Sequence, residues 1–401
     1  MQLSTRITGI NGGGSDGWDL FLKARRMIDA GVPVTELTIG EHDIRTAAPI
    51  LQEMHRTALG GHTGYAAVPG THTLRDAVAA RVEARTGVLT RRENVLITPG
   101  GQAALYAAHV AVCDAGDTAL YIDPYYASYP GTLRGAGAVA RAVEALAEDA
   151  FQPRESALSA AAPGARSLLI NTPNNPTGVV YGRETLEEIA NVCVRHNLWL
   201  ISDEVYDTQV WDGEHLSPRT LPDMADRTLV VGSMSKSHAM TGSRCGWIVG
   251  PEKAIGHLIA LATHTTYGVP GFIQDASTFA LAQGTAFERE VAEPFLRRRA
   301  IAQRVLAAQN TVGMIPAQGA MYVMLDVRAT GLSGEDFANE LLDHHQIAVM
   351  PGESFGRAAA GHLRVAMTID DGPFEQALRT LCAHAEDCAA RAAKIATRTA
   401  G

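Results

Sequence analysis

The stretch SMSKSHAMTGSRCGW, Ser233–Trp247, gathers two hydroxyls (Ser233, Ser235), an amine (Lys236) and a guanidinium (Arg244) within twelve residues. Hydroxyls and arginine suit a phosphate, which a guanidinium can grip through two parallel hydrogen bonds. A lysine amine can condense with a carbonyl to form a Schiff base. Gly242 and Gly246 let the backbone turn closely around such a group. Lysine is scarce in this chain: of 34 basic side chains only Lys23, Lys236, Lys253 and Lys394 are lysines. The other three fall in helical patterns or at a helix start and read as solvated surface. Taken alone, the string also reads as a polar loop with a surface lysine.

Other strings could complete the same site. Asp203, in SDEVYDTQVWDG, ends a strongly apolar run. A buried carboxylate there needs a partner. A protonated ring nitrogen would serve, and Tyr206 could reach the same ligand; the alternative is a helix-capping aspartate. NTPNNPTGVVY, Asn171–Tyr181, makes a rigid turn able to fix the amide of Asn175, or simply a turn. In ITPGGQAALYAA the N–H groups of Gly101, Gln102 and Ala103 would open a helix and form an anion site. DPYYASYPG offers Tyr126 as a flat ring for stacking, or as core. GHLRVAMT places Arg364 in an apolar strand, facing a bound carboxylate or an internal salt bridge.

Elements must hold these residues. Strand-length apolar runs at Val95–Thr98, Ala119–Ile122, Ser167–Asn171, Trp199–Ser202, Thr228–Gly232 and Gly246–Val249 alternate with helical patterns such as Gln102–Cys113 and Glu184–His196. The runs are continuous rather than alternating, as in strands buried on both faces. This pattern predicts an α/β fold with a mostly parallel sheet sandwiched by helices. Ligands of such sheets bind at the carboxyl ends of the strands, where the polar strings lie. From about residue 286 the texture changes. A helix over Phe295–Gln309, strands at Met321–Val327 and Ile347–Met350, and a helix from about Pro373 to Ala396 predict a smaller α+β domain. The expected division is an N-terminal arm with part of the small domain (1–44), a large domain (45–285) and a small C-terminal domain (286–401). The glycines at 12–14 mark the arm as flexible.

Composition narrows the function. The chain has 401 residues, 46% of them hydrophobic, enough for a large core. The net charge of −9 is spread out with no basic stripe, which argues against nucleic acid. No apolar segment is long enough for a membrane span or a signal peptide. Five cysteines without a CxxC pair argue against a disulfide framework or a zinc site and for a reduced, cytoplasmic protein; no metal is expected.

Together, Gly40, Tyr65, GGQ, Pro-Tyr-Tyr, NPTG, DEVY, SxSK with GxR, and a late arginine follow one order, from Gly40 to Arg364. In this the chain resembles class I aminotransferases of pyridoxal-phosphate (PLP) fold type I. The resemblance implies a seven-stranded, mostly parallel sheet in the large domain, PLP as cofactor, and amino and 2-oxo acids as substrates. It implies Lys236 as the Schiff-base lysine and proton shuttle, and Asp203 as partner of the ring nitrogen. Tyr206 and Asn175 would donate to the phenolic oxygen, and Tyr126 would stack on the ring. Ser233, Ser235, Arg244, Gly101, Gln102 and Ala103 would hold the phosphate. Tyr65 would reach the phosphate of the other subunit of a homodimer. Arg364, Asn175 and the backbone at Gly40 would clamp the substrate α-carboxylate.

A finer resemblance, in LWLISDEVYDTQVWDGEHLSPRT, YGVPGFIQDAS and GESFGRAAAGHLR, is to bacterial arginine–pyruvate transaminases. It implies arginine or another basic amino acid as donor and pyruvate as acceptor. The loop GEHDIRT, Gly40–Thr46, departs from the family's usual proline after the acidic residue. His42 or Arg45 there could serve an aspartate or aromatic aminotransferase, whereas Asp16, Asp19 or Glu41 could face an arginine side chain. A C–S β-lyase on the same fold and a ligand-sensing regulator are further alternatives; the regulator lacks support, since no DNA-binding segment is evident. Lys236→Ala is expected to abolish both the visible absorbance of the lysine-bound cofactor and transamination; normal turnover in that variant would contradict the assignment.

Overall fold

The computed structural model describes residues 1–14 and 17–399, the last four of them by backbone alone. Twelve strands occur among them: β1 Thr35–Leu37, β2 Val95–Thr98, β3 Thr118–Asp123, β4 Val139–Glu144, β5 Ala165–Asn171, β6 Trp199–Asp203, β7 Thr228–Ser233, β8 Gly246–Val249, β9 Gly313–Met314, β10 Tyr322–Asp326, β11 Ile347–Pro351 and β12 His362–Ala366. Seven form one sheet in the order β2-β8-β7-β6-β5-β3-β4. Only β8 runs against its neighbours. Consequently β2, β7, β6, β5, β3 and β4 all end at one edge. Every residue of β2, β6, β7 and β8 except Trp199 is buried, as continuous apolar strands under helices on both faces require.

The second sheet, β1-β11-β12-β10-β9, is mixed. β1 pairs in parallel with β11, while β12 runs antiparallel between β11 and β10. The N-terminal segment therefore joins a sheet whose other strands come from the last third of the chain. Its core includes Phe295, Phe337, Phe374 and Leu381.

The expected strands and helices appear within a few residues; β1 and β9, three and two residues long, were not among them, and two further departures have a physical cause. β4 was not expected: most of VARAVE is exposed at the sheet edge, so it has no apolar run to read. The helix expected at Phe295 begins at Gly284 and carries Pro294 within it. Proline removes one intrahelical donor and favours a break, but here Val291, Ala292, Pro294 and Phe295 are buried together, and that packing keeps the helix continuous. In the N-terminal arm, Thr5–Thr8 form a helical turn, and Arg134 donates to the Ile10 carbonyl at 3.1 Å.

One buried ion cluster fastens the segment after β6. Arg81, on the helix His72–Thr86, meets Asp207 at 2.7 Å and Glu288 at 3.1 Å, and Arg85 meets Glu288 at 2.5 Å. Burial alone would raise the Asp207 carboxyl, but the charges of Arg81 and Arg85 hold it well below the usual carboxylate range. Removing one partner strands a buried charge. Arg81→Met is expected to cost about 3–5 kcal/mol in denaturant titration at neutral pH; a loss below about 1 kcal/mol would show the cluster to be incidental.

Candidate active site

The shared strand edge opens on a cavity of about 310 Å³. β2 leads through Gly100 into the helix Gly101–Val112. β6 delivers Asp203, β7 delivers Ser233, and β5 delivers Asn171 and the turn bearing Asn175. β8 starts at this edge, directly after Arg244 and Cys245. Register explains the closeness: Gly246 lies opposite both Thr98 and Ser233, and Asn171 lies opposite Asp203.

Of the residues singled out in the sequence for cofactor or α-carboxylate, twelve line this cavity: Gly40, Gly101, Gln102, Tyr126, Asn175, Asp203, Tyr206, Ser233, Ser235, Lys236, Arg244 and Arg364. Ala103 does not; it borders the neighbouring, wider cleft. Tyr65 is 92% exposed and packs edge-on against Tyr267. The side chain of Gln102 is engaged elsewhere, donating to Thr132 at 2.7 Å and accepting from Ser128 at 3.1 Å. Only its backbone N–H, at the helix start, is left for an anion.

Three charged groups dominate the site, Asp203 and Arg364 buried and Lys236 partly so. Asp203 is 4% exposed and forms no salt bridge among the described residues. Its Oδ2 accepts from the Tyr129 hydroxyl at 2.6 Å, and its Oδ1 accepts from the Val205 N–H at 3.3 Å. Burial pushes its carboxyl up to about 6. Lys236 is held down at about 8 by burial, so part of its amine is unprotonated near neutrality. Its Nζ donates to the Gly40 carbonyl, at the end of the segment that follows β1.

Arg364 is the third. It sits in β12, 1% exposed, between the rings of Phe355 at 4.3 Å and Tyr322 at 4.6 Å. Nη1 donates to Asn175 Oδ1 at 2.9 Å and Nη2 donates to the Thr38 carbonyl. Nε has no partner. Arg364 makes no salt bridge among the described residues, so the internal salt bridge considered from sequence is absent. A buried guanidinium lacking a counter-anion is costly, and an anionic ligand would supply one.

The phosphate-type groups form a separate pole. Ser233 Oγ donates toward Ser235 Oγ at 2.9 Å and accepts from the Ser235 N–H at 3.1 Å. Gly100 has φ +83°, and a Cβ there would lie 2.3 Å from the Arg244 guanidinium. A Cβ on Gly246 would lie 2.8 Å from the Gly100 carbonyl carbon. Glycine at both positions lets the helix start, Arg244 and β8 close on one another.

Sequence reasoning missed several lining residues. Tyr129 follows Tyr126 by three residues, at the start of a short helix, and holds Asp203. Tyr322 contacts the Tyr206 hydroxyl at 3.1 Å and Asn175 Nδ2 at 3.4 Å. Gly40 leaves room for it, because a Cβ there would fall on the Tyr322 hydroxyl. Trp18, Asn171 and Thr241 also line the cavity. Tyr129 was legible from spacing; Tyr322 has no neighbouring motif. Of the loop residues weighed for the substrate side chain, Glu41 lines the cavity, whereas His42 and Arg45 do not. His42 is buried against Phe295, and burial lowers it to about 3. Asp19 borders the wider cleft. Asp16 lies outside the described residues.

The raised Asp203 carboxyl has a pH signature. Its folded value, about 6, exceeds the ordinary one near 3.8. The native chain thus binds more protons than the unfolded chain between those values, and this group's contribution to stability falls as pH rises through the window. In cofactor-free protein Asp203→Asn should gain stability over the native chain progressively from ~pH 4 to ~pH 6, reaching roughly 2–3 kcal/mol at pH 7. Denaturation midpoints across this range check it; a pH-independent difference would refute the buried-carboxylate account.

Comparison with known proteins bears on what the cavity does. The aminotransferase class I and II family matches residues 32–381. The chain is 39% identical over 386 residues to the arginine–pyruvate transaminase of Pseudomonas aeruginosa, covering 96% of this chain and 98% of that one. It is 34% identical to the aspartate/prephenate aminotransferase of Thermus thermophilus, over 89% and 92% of the two chains. The solved aspartate aminotransferase from Thermus thermophilus with maleate superimposes with a TM-score of 0.89 at 32% identity, covering 96% of this chain and all of that one. An aromatic aminotransferase from Pyrococcus horikoshii does so with a TM-score of 0.85 at 29% identity, over 91% and 99%. With a seven-stranded mixed sheet, a cavity at its carboxyl edge and a family match across most of its length, the chain belongs to the class I and II aminotransferases, the PLP-dependent enzymes of fold type I.

Proposed function

We propose that this transaminase takes arginine or a similar basic amino acid as donor and pyruvate as acceptor. The observation that carries the choice of donor is the charge lining the cavity. Its cations are Lys236, Arg244 and Arg364, and each has a part to play with cofactor or α-carboxylate. Among the described residues no further lysine or arginine lines it to meet a side-chain carboxylate. Glu41 does line it, and its Oε1 accepts from the Thr241 hydroxyl at 2.9 Å, leaving the other oxygen for a cationic side chain. The similarity to an arginine–pyruvate transaminase supports the same reading.

The donor set suits PLP. Ser233, Ser235, Arg244 and the N–H groups of Gly101 and Gln102 would hold a phosphate. Asp203 would face a protonated ring nitrogen, which supplies the counter-charge its burial calls for. Tyr206 and Asn175 would donate to the phenolic oxygen, and Tyr126 would cover the ring. Bound PLP supplies an aldehyde that condenses with amines and a ring that draws electrons from the substrate Cα.

The remaining steps fall to the chain's own residues. Lys236 Nζ would hold the cofactor and would take the proton from the substrate Cα. Its lowered basicity leaves it able to accept that proton near neutral pH. Arg364 binds the α-carboxylate, and Asn175 and the Thr38 carbonyl fix the plane of its guanidinium, so the Cα–H bond is held in one orientation. Tyr129 holds Asp203 in place. Burial of Asp203 and Arg364, and partial burial of Lys236, limits the water that would otherwise screen them.

We also assign the chain to a homodimer in which the exposed Tyr65 reaches the phosphate of the partner subunit. We further divide it at residues 44 and 285, following the two sheets. The five cysteines, all buried and unpaired, accord with a reducing, cytoplasmic setting. Among the described residues no helix is long and apolar enough to cross a membrane.

A donor panel with pyruvate and 2-oxoglutarate as acceptors tests the substrate. Arginine should exceed aspartate in kcat/KM with pyruvate. Glu41→Gln should lower kcat/KM for arginine about tenfold, the worth of one charge-assisted hydrogen bond, and leave neutral donors nearly unchanged. Preference for aspartate, or an equal loss for all donors, would overturn the assignment.

A further inference from the structure

We propose that Glu340, His384 and Cys388 form a metal site, remote from the catalytic cavity, for a thiophilic divalent ion of the zinc class. His384 and Cys388 stand four residues apart on the helix Asp371–Thr399, hence on one face. Glu340 comes from the helix Gly334–His345, which packs beside it. Cys388 Sγ lies 3.6 Å from His384 Nε2 and 4.0 Å from Glu340 Oε2, and the last two atoms are 3.7 Å apart. Tetrahedral zinc bonds of about 2.0–2.3 Å set sulfur, nitrogen and oxygen ligands roughly 3.3–3.6 Å from one another. The three atoms need to close by only a few tenths of an ångström.

Two further observations point to a cation. Arg391 Nη2 lies 2.6 Å from Glu340 Oε2 and 3.1 Å from Cys388 Sγ, so positive charge already occupies this place. The Arg391 side chain is 54% exposed and can swing into solvent. Behind the site, His345 Nε2 lies 3.3 Å from His384 Nδ1. When His384 donates Nδ1–H to His345, its Nε2 lone pair faces Glu340 and Cys388. This is the support that metal-bound imidazoles normally receive. His384 and Cys388 are 5% and 2% exposed, so the donors are already ordered.

A thiolate, an imidazole and a carboxylate suit zinc or cobalt better than magnesium or calcium. On binding, the Cys388 S–H bond gives way to a sulfur–metal bond and the proton leaves to solvent; no electrons are exchanged. Solvent takes the fourth position. The ion would staple the terminal helix to the helix that precedes β11. The cysteine count argued against zinc because it registers CxxC pairs, not a His-x-x-x-Cys face completed by a second helix.

Untagged, cofactor-loaded protein, stripped with EDTA and titrated with Co(II), tests the site. The expected result is one equivalent bound with tetrahedral d–d bands in the red and thiolate charge transfer, displaced by Zn(II). Cys388→Ser should lose the charge-transfer band and bind at least tenfold more weakly. His345→Phe should lose about tenfold. Arg391→Ala, at the surface, should bind more tightly because it removes the competing cation. Absence of tetrahedral bands in the native protein, or an unaltered spectrum and affinity in Cys388→Ser, would overturn the proposal, as would weaker binding in Arg391→Ala.

Discussion

A guanidinium sealed between two aromatic rings, with no carboxylate among the described residues to answer it, sets the terms of this molecule. Arg364 is held by an amide oxygen and a backbone carbonyl, both neutral. Polar contacts of that kind orient a charge without cancelling it. The fold sustains this cost because β12 is fully buried within a five-stranded sheet over a large apolar core. Asp203 and Lys236 share the same predicament in the same cavity. Their raised and lowered titration values share one leading cause, burial of the charged form. A site that keeps its charges uncompensated is poised for a ligand that brings complementary ones, here an anionic cofactor with a cationic ring and a substrate carboxylate.

Placement of these groups follows from topology. Six strands of the large sheet finish on one edge, so the residues just past them converge although they are far apart in sequence. The second sheet contributes from the opposite side. β1 hands over Thr38 and Gly40, β10 gives Tyr322, and β12 gives Arg364. Two glycine contacts make the approach close enough. Gly246 packs on the backbone at Gly100, and Gly40 packs on the Tyr322 hydroxyl.

Side-chain selectivity rests on fewer residues. The loop after Gly40 divides its charges: Glu41 faces the cavity, Asp43 pairs with Arg298 at 2.6 Å, and His42 turns into the core. Backbone direction within four residues thus decides which charge a substrate meets.

The buried strands were legible in the chain because both faces are covered, and continuous apolar runs of four to six residues have few other uses. The polar strings at their ends named most of the cavity, since Asp203 ends such a run, Lys236 and Asn175 follow one, and Arg244 stands just before another. The edge strand β4 and the helical start at Gly284 were not legible. One is mostly solvated, and the other depends on Pro294 being packed by distant neighbours. Nor could local spacing reveal that Tyr129 holds Asp203 (only that it follows Tyr126 by three residues), that Gln102 turns its amide toward Thr132, or that Arg364 lacks a counter-ion. The amino-acid order by itself determined which groups could do chemistry and which segments would be strands, because those properties are local. Only the tertiary structure decided which charges are paired, which face the ligand, and which helices bring Glu340 to His384 and Cys388. Electrostatic partnership depends on distance in space and on the exclusion of water.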